Sequence, residues 1–115
     1  MQYLLLIHAR EDHVRSIDAD GVARVMEAYR QYTAALKEAG VYLGSNRLQF
    51  TSTARTVRTR DGKTSVIDGP YTETKEQLGG YYLVDVPDEA SAISWAGRCP
   101  GAAHGAIEVR PVWIM

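Results

Sequence analysis

"GGYYLVDV", residues 79–86, decides how the rest of this chain is read. A β-strand sends alternate side chains to opposite faces, so Tyr81, Leu83 and Asp85 share one face while Tyr82, Val84 and Val86 share the other. Apolar residues stand on both. A half-solvated strand would alternate apolar with polar, so this one is expected inside a sheet with both faces covered. The run "QYLLLIH", residues 2–8, has the same two-sided character and is the second central strand.

Between these strands the periodicity changes. Val22, Val25, Met26, Tyr29, Tyr32 and Leu36 recur at three- and four-residue spacing, the stripe of an amphipathic helix. Asp18 is placed to cap it, Asp20 lies in the first turn where the helix dipole favours an anion, and Gly40 suits its exit. The spacing predicts a helix over 18–39. A short strand at 41–43 and a loop around Gly44, Ser45 and Asn46 follow.

"TARTVRTRDGKTSVIDG", residues 53–69, has β-branched residues on both sides of Asp61-Gly62, a two-residue hairpin signal. With that loop, Val57 faces Val66 and Arg55 faces Asp68. In "DGPYTETKEQ", residues 68–77, Gly69-Pro70 turns the chain and Thr72 is expected to cap a short helical turn holding Glu73, Lys75 and Glu76. Gly79 and Gly80 then release the chain into the central strand. Pro87 stops that strand, and Asp88 caps a helix to about Cys99 with a stripe of Ala92, Ile93, Ala96 and Cys99. "AIEVRPVWI", residues 106–114, alternates as a strand, in which Pro111 demands an edge or a strand end.

The order strand, helix, strand, hairpin, strand, helix, strand is that of an α+β, ferredoxin-like split βαβ domain with an added β-hairpin, one domain spanning 1–115. Two helices cover only one face of such a sheet. The two-sided strands therefore call for a second copy on the other face, which predicts a homodimer with sheets packed face to face.

A formal charge of −1 leaves no basic field for a phosphate backbone, so nucleic acid is not expected as a partner. The N-terminal apolar run is too short to span a membrane and has no signal-peptide flanks, which predicts a cytoplasmic protein without membrane attachment. The single cysteine, Cys99, has no disulfide partner and reads as a small buried hydrophobe.

His8 ends the first strand, and an imidazole titrates near neutral pH, which suits proton transfer. His13 and His104 fall in loops. No two histidines have the spacing of a metal-binding pair, so no metal site is read, and the absence of P-loop or GxGxxG patterns leaves no cofactor to expect. The charges at 68–76 allow two readings. In one, Asp68, Glu73, Lys75 or Glu76 face a polar pocket and hold or deprotonate a small ligand. In the other, Asp68 pairs with Arg55 across the hairpin and the remaining charges are solvated.

"VRTRDGKTSVIDGPYTETKEQLGGYYLVDV", residues 57–86, closely resembles the signature of the YCII-related family, in its DGPF branch: a DGPF-type turn, ETKE, a glycine pair and an apolar strand. The resemblance extends to the N-terminal strand, to "LKEAGV" at the end of the long helix, and to the closing "IEVRPV". It implies a dimeric α+β barrel. Tyr71 stands where phenylalanine is usual, and His8 where this branch often has tyrosine. More distant members resemble enzymes that use a His–Asp pair, with the histidine near the end of the first strand. The matching residues are His8, as proton-transfer group, and Asp68, as its orienting partner. Tyr71, Glu73, Lys75, Glu76 and Tyr81 would line the ligand site. The resemblance thus implies a homodimer with a small-molecule ligand and cofactor-free lyase- or isomerase-like chemistry. The alternative it implies is a non-catalytic ligand-binding or regulatory dimer, a companion of a sigma factor.

Overall fold

The computed structural model describes residues 1–115. Strand β1 (Gln2–Ala9) leads through a short helix α1 (Glu11–Ser16) into α2 (Ala19–Glu38) and then β2 (Tyr42–Arg47). The hairpin β3 (Arg55–Arg60) and β4 (Lys63–Asp68) follows, then β5 (Gln77–Asp85), α3 (Glu89–Arg98) and β6 (Ala106–Pro111). The main sheet has the order β2-β5-β1-β6 with every neighbouring pair antiparallel, and β3-β4 forms a separate two-stranded ribbon. Both central strands are those with apolar residues on both faces. The fold is α+β and ferredoxin-like, with the hairpin added between β2 and β5.

The helix-covered face carries the core. Tyr3 and Leu5 of β1 and Tyr82 and Val84 of β5 meet Tyr32 and Leu36 of α2, Ala92 and Ala96 of α3, and Cys99 just beyond it. Leu5, Leu36 and Val84 are fully enclosed, and removing each from water contributes about 1.5–3 kcal/mol. Cys99 joins this core as a small buried hydrophobe, and burial pushes its thiol up. Two phenols of this layer are hydrogen-bonded: Tyr32 donates to the Trp95 carbonyl at 2.7 Å and the Tyr82 hydroxyl lies 2.7 Å from Thr33 Oγ1. Tyr32 Oη is a direct link between α2 and α3. Tyr32→Phe should therefore cost about 1 kcal/mol, read as a lower urea midpoint with an unchanged slope.

Local sequence fixes the element ends. Asp18 accepts from the Gly21 amide at 2.8 Å and Asp88 from the Ser91 amide at 2.9 Å, each capping its helix. At the end of α2, Gly40 takes φ 73°, the Gly40 amide bonds to Lys37 O, and the Val41 amide bonds to Leu36 O. Those two bonds are a Schellman stop, which needs a residue tolerant of the left-handed region. In the hairpin, Asp61 and Gly62 have φ 50° and 74°, and the register pairs Val57 with Val66 and Arg55 with Asp68.

Five local expectations are corrected. Residues 44–46 are strand, because β5 offers a ladder that pairs Gly44, Ser45 and Asn46 with Leu83, Tyr82 and Tyr81. Segment 11–16, where His13 was expected in a loop, is helical, held at its start by Glu11, whose carboxylate accepts from the Thr51 amide at 2.7 Å and the Thr51 hydroxyl at 2.8 Å. The residues around Thr72 form bends rather than a helical turn, and β5 begins at Gln77, so the glycine pair lies inside the strand. A Cβ at Gly80 would sit 2.8 Å from Asn46 O, which accounts for glycine there. The last strand stops at Pro111, leaving Trp113 exposed.

The molecule is a slab of 48 × 43 × 19 Å with a radius of gyration of 16.1 Å. A compact chain of this length would have about 13 Å. The excess follows from one uncovered sheet face and from the ribbon, on which Val57, Val66 and Ile67 are exposed. No helix is long and apolar enough to cross a membrane.

Candidate functional site on the open sheet face

Register places the uncovered face. Leu4, Leu6 and His8 of β1 lie beside Leu83 and Tyr81 of β5 and beside Arg110, Glu108 and Ala106 of β6. Leu4, Leu6, Tyr81 and Leu83 are half-buried although no element of this chain covers them. His8 sits where β1 and β5 slip register between Ile7 and His8, an irregularity that re-aims a side chain at a strand end.

His8 Nε2 lies 3.4 Å from Glu108 Oε1, with the two side chains 29% and 40% exposed. Glu108 also accepts a hydrogen bond from Arg110 Nε at 2.8 Å, two residues along the same strand face. That guanidinium, and secondarily His8, holds the Glu108 carboxyl below its usual range. It is thus an anion facing His8 across the neutral range. A carboxylate beside one ring nitrogen orients an imidazole and fixes its tautomer. On the neighbouring strand, Asn46 Nδ2 donates to Tyr81 Oη at 2.8 Å, fixing the phenol on the same face.

Of the residues singled out in the sequence, His8 and Tyr81 fall on this face. Asp68 ends β4 with its side chain 88% exposed and pairs with Arg55 Nε at 3.1 Å, and no ion pair joins it to His8. Tyr71 is exposed, with the Arg58 guanidinium 5.1 Å from its ring centroid. Glu73, Lys75 and Glu76 are exposed in the bends that lead to β5 and make no ion pair. The Gln77 side chain clamps the end of that turn, donating to Thr74 O at 2.8 Å and accepting from the Glu11 amide at 3.0 Å.

Glu108, Arg110 and Asn46 were not singled out. The alternation of "AIEVRPV" puts Glu108 and Arg110 on one face, but which face, and opposite which residue of β1, depends on a strand pairing that joins the two ends of the chain.

Comparison with known proteins agrees with this architecture. The YCII-related domain model matches residues 1–115. An uncharacterised protein of Rhizobium meliloti (strain 1021) is 35% identical over 114 residues, covering 97% of this chain and 92% of that protein. With the match running from the first central strand through the closing one, the chain belongs to the YCII-related family.

Proposed function

We propose that this protein is a homodimer in which two open sheet faces pack together around small-molecule sites, and that each site performs metal-free, cofactor-free acid–base chemistry of the lyase or isomerase type. The observation that carries the proposal is the His8–Glu108 pair, 3.4 Å apart on a half-buried face beside Leu6 and Tyr81. An imidazole held by an anionic carboxylate on a partly apolar floor has the parts of a general base, and nothing about the slab itself requires them.

In this reading His8 moves the proton and Glu108 orients it. Tyr81, fixed by Asn46, donates to the ligand. Tyr71, Glu73, Lys75 and Glu76 close the site from the rim, with Lys75 balancing a developing anion. Asp68 belongs to the rim, where Arg55 holds it. That same Asp68–Arg55 pair favours a second reading, a ligand-binding or regulatory dimer without catalysis, since it makes the turn structural.

The test is a ligand screen followed by substitution at position 8. Metabolite mixtures added to the labelled protein should shift the amide resonances around His8, Tyr81 and Glu108 first. His8→Gln should then leave binding nearly unchanged but reduce turnover of any substrate found by about 10²–10⁴-fold, the usual contribution of a general base. Ligand shifts confined to the outer surface of α2 would contradict a site on the open face. Binding at this face with no turnover would favour the regulatory reading.

A further inference from the structure

We propose that His13 and His104 form an open, two-imidazole site for a late first-row divalent cation, Zn²⁺, Ni²⁺ or Cu²⁺. His13 stands in α1, and His104 follows the 3₁₀ turn Pro100–Ala103. The fold brings these two remote segments together at the mouth of a depression of about 620 Å³ lined by Arg10, Asp12, His13, Ser16, Ala103 and His104. The ring centroids are 6.0 Å apart with the planes at 34°. A ring nitrogen binds zinc or copper at about 2.0–2.1 Å, which puts each centroid about 3.2 Å from the ion and two ligating rings at most about 6.4 Å apart. The observed separation lies inside that linear limit but above the roughly 5.2 Å of a tetrahedral N–M–N angle, so a tetrahedral ion requires the two exposed rings to turn toward each other.

Three further observations point to a cation. Neither imidazole takes part in a hydrogen bond or an ion pair: the polar contacts of His13 and His104 run through their backbones, to Asp12 and Ser16 and to Gly101. Their nitrogens are therefore available as ligands. Both platforms are fixed independently of the rings, α1 by the Glu11 bonds to Thr51 and the segment after His104 by the Gly105 amide bonding to Gly101 O at 2.9 Å. An anion would need the Arg10 guanidinium, but Asp12 already engages it twice, at 3.1 Å and 2.7 Å, and cancels its charge. What is left in the depression is the pair of imidazoles, whose ring nitrogens suit borderline metals rather than calcium or magnesium. No group of three or more His, Cys, Asp or Glu side chains is arranged around a metal, so water fills the remaining positions.

The site is separate from His8–Glu108, and the two are distinguished by experiment. Tag-free protein is titrated with CuCl₂ and with ZnCl₂ by calorimetry, and the Cu²⁺ form is examined by electron paramagnetic resonance. One ion per chain with nitrogen ligation is expected. Affinity should fall at least tenfold in both His13→Ala and His104→Ala, a loss no smaller than that seen when a mere outer partner of a metal site is removed. His8→Ala should bind as the parent does. Both histidines are exposed, so circular dichroism of the variants should match the parent, and His13→Asn serves as a second variant of similar size. Metal binding that survives loss of His13 and His104, or that disappears with His8 alone, overturns the assignment, as does no saturable binding.

Discussion

Gly105→Ala should lower the melting temperature by about 10 °C, equivalent to about 3 kcal/mol in a domain of this size. A Cβ built at Gly105 lies 2.1 Å from the His8 carbonyl oxygen, 3.1 Å from the His8 carbonyl carbon and 3.2 Å from Ala9 Cα. All three are backbone atoms, so no side-chain rotation relieves the overlap. The start of β6 must move away from the end of β1, where His8 pairs with Ala106. The same movement would separate His8 from Glu108, so loss of stability and loss of the candidate site should arrive together. Gly97→Ala is the matched control: its added methyl meets no atom within 4 Å, and alanine is the better helix former in α3. Thermal scans followed by circular dichroism should show position 97 unchanged or slightly higher and position 105 much lower. Equal melting temperatures would contradict the close approach of β6 to β1.

Leu83→Glu should convert the proposed dimer to monomer while leaving the monomer folded. Leu83 stands at the middle of the open face, opposite Leu4 on β1 and Gly44 on β2. In the proposed face-to-face dimer a residue in the middle of the face is enclosed, so the substitution buries one unpaired carboxylate from each protomer. Removing an unpaired carboxylate from water costs several kcal/mol, enough to weaken association by about a thousandfold. The helix-covered core is on the other side of the sheet, so the far-ultraviolet spectrum should be preserved. A variant that stays dimeric would move the interface to another surface.

The parts of this fold that were readable in sequence are those set by neighbours along the chain. Asp61-Gly62 fixed a two-residue turn, and with it the pairing of Val57 with Val66 and Arg55 with Asp68. Asp18 and Gly40 bracketed α2 because a cap and a left-handed stop act over one helical turn. Two-sided apolar composition picked out β1 and β5 as the central strands. What escaped depends on remote pairing. Gly44, Ser45 and Asn46 have poor strand propensity, and only the ladder to β5 makes them β2. Helix α1 has six residues, all polar but Val14, and no apolar stripe, so its signal is absent until Glu11 is seen anchoring Thr51.

The site followed the same division. His8 was identifiable from its chemistry and its place at the end of β1, and Tyr81 from the family resemblance. Glu108 was not, because its position opposite His8 is set by the β1–β6 register across nearly the whole chain. The charges of the 68–76 turn drew attention by their density, yet the carboxylate that faces His8 comes from β6.

The central claim is that a second copy covers the open sheet face. Sedimentation velocity of the unmodified protein at micromolar concentration tests it most directly. A species of twice 12.7 kDa is the predicted result, and a single species of 12.7 kDa would contradict it.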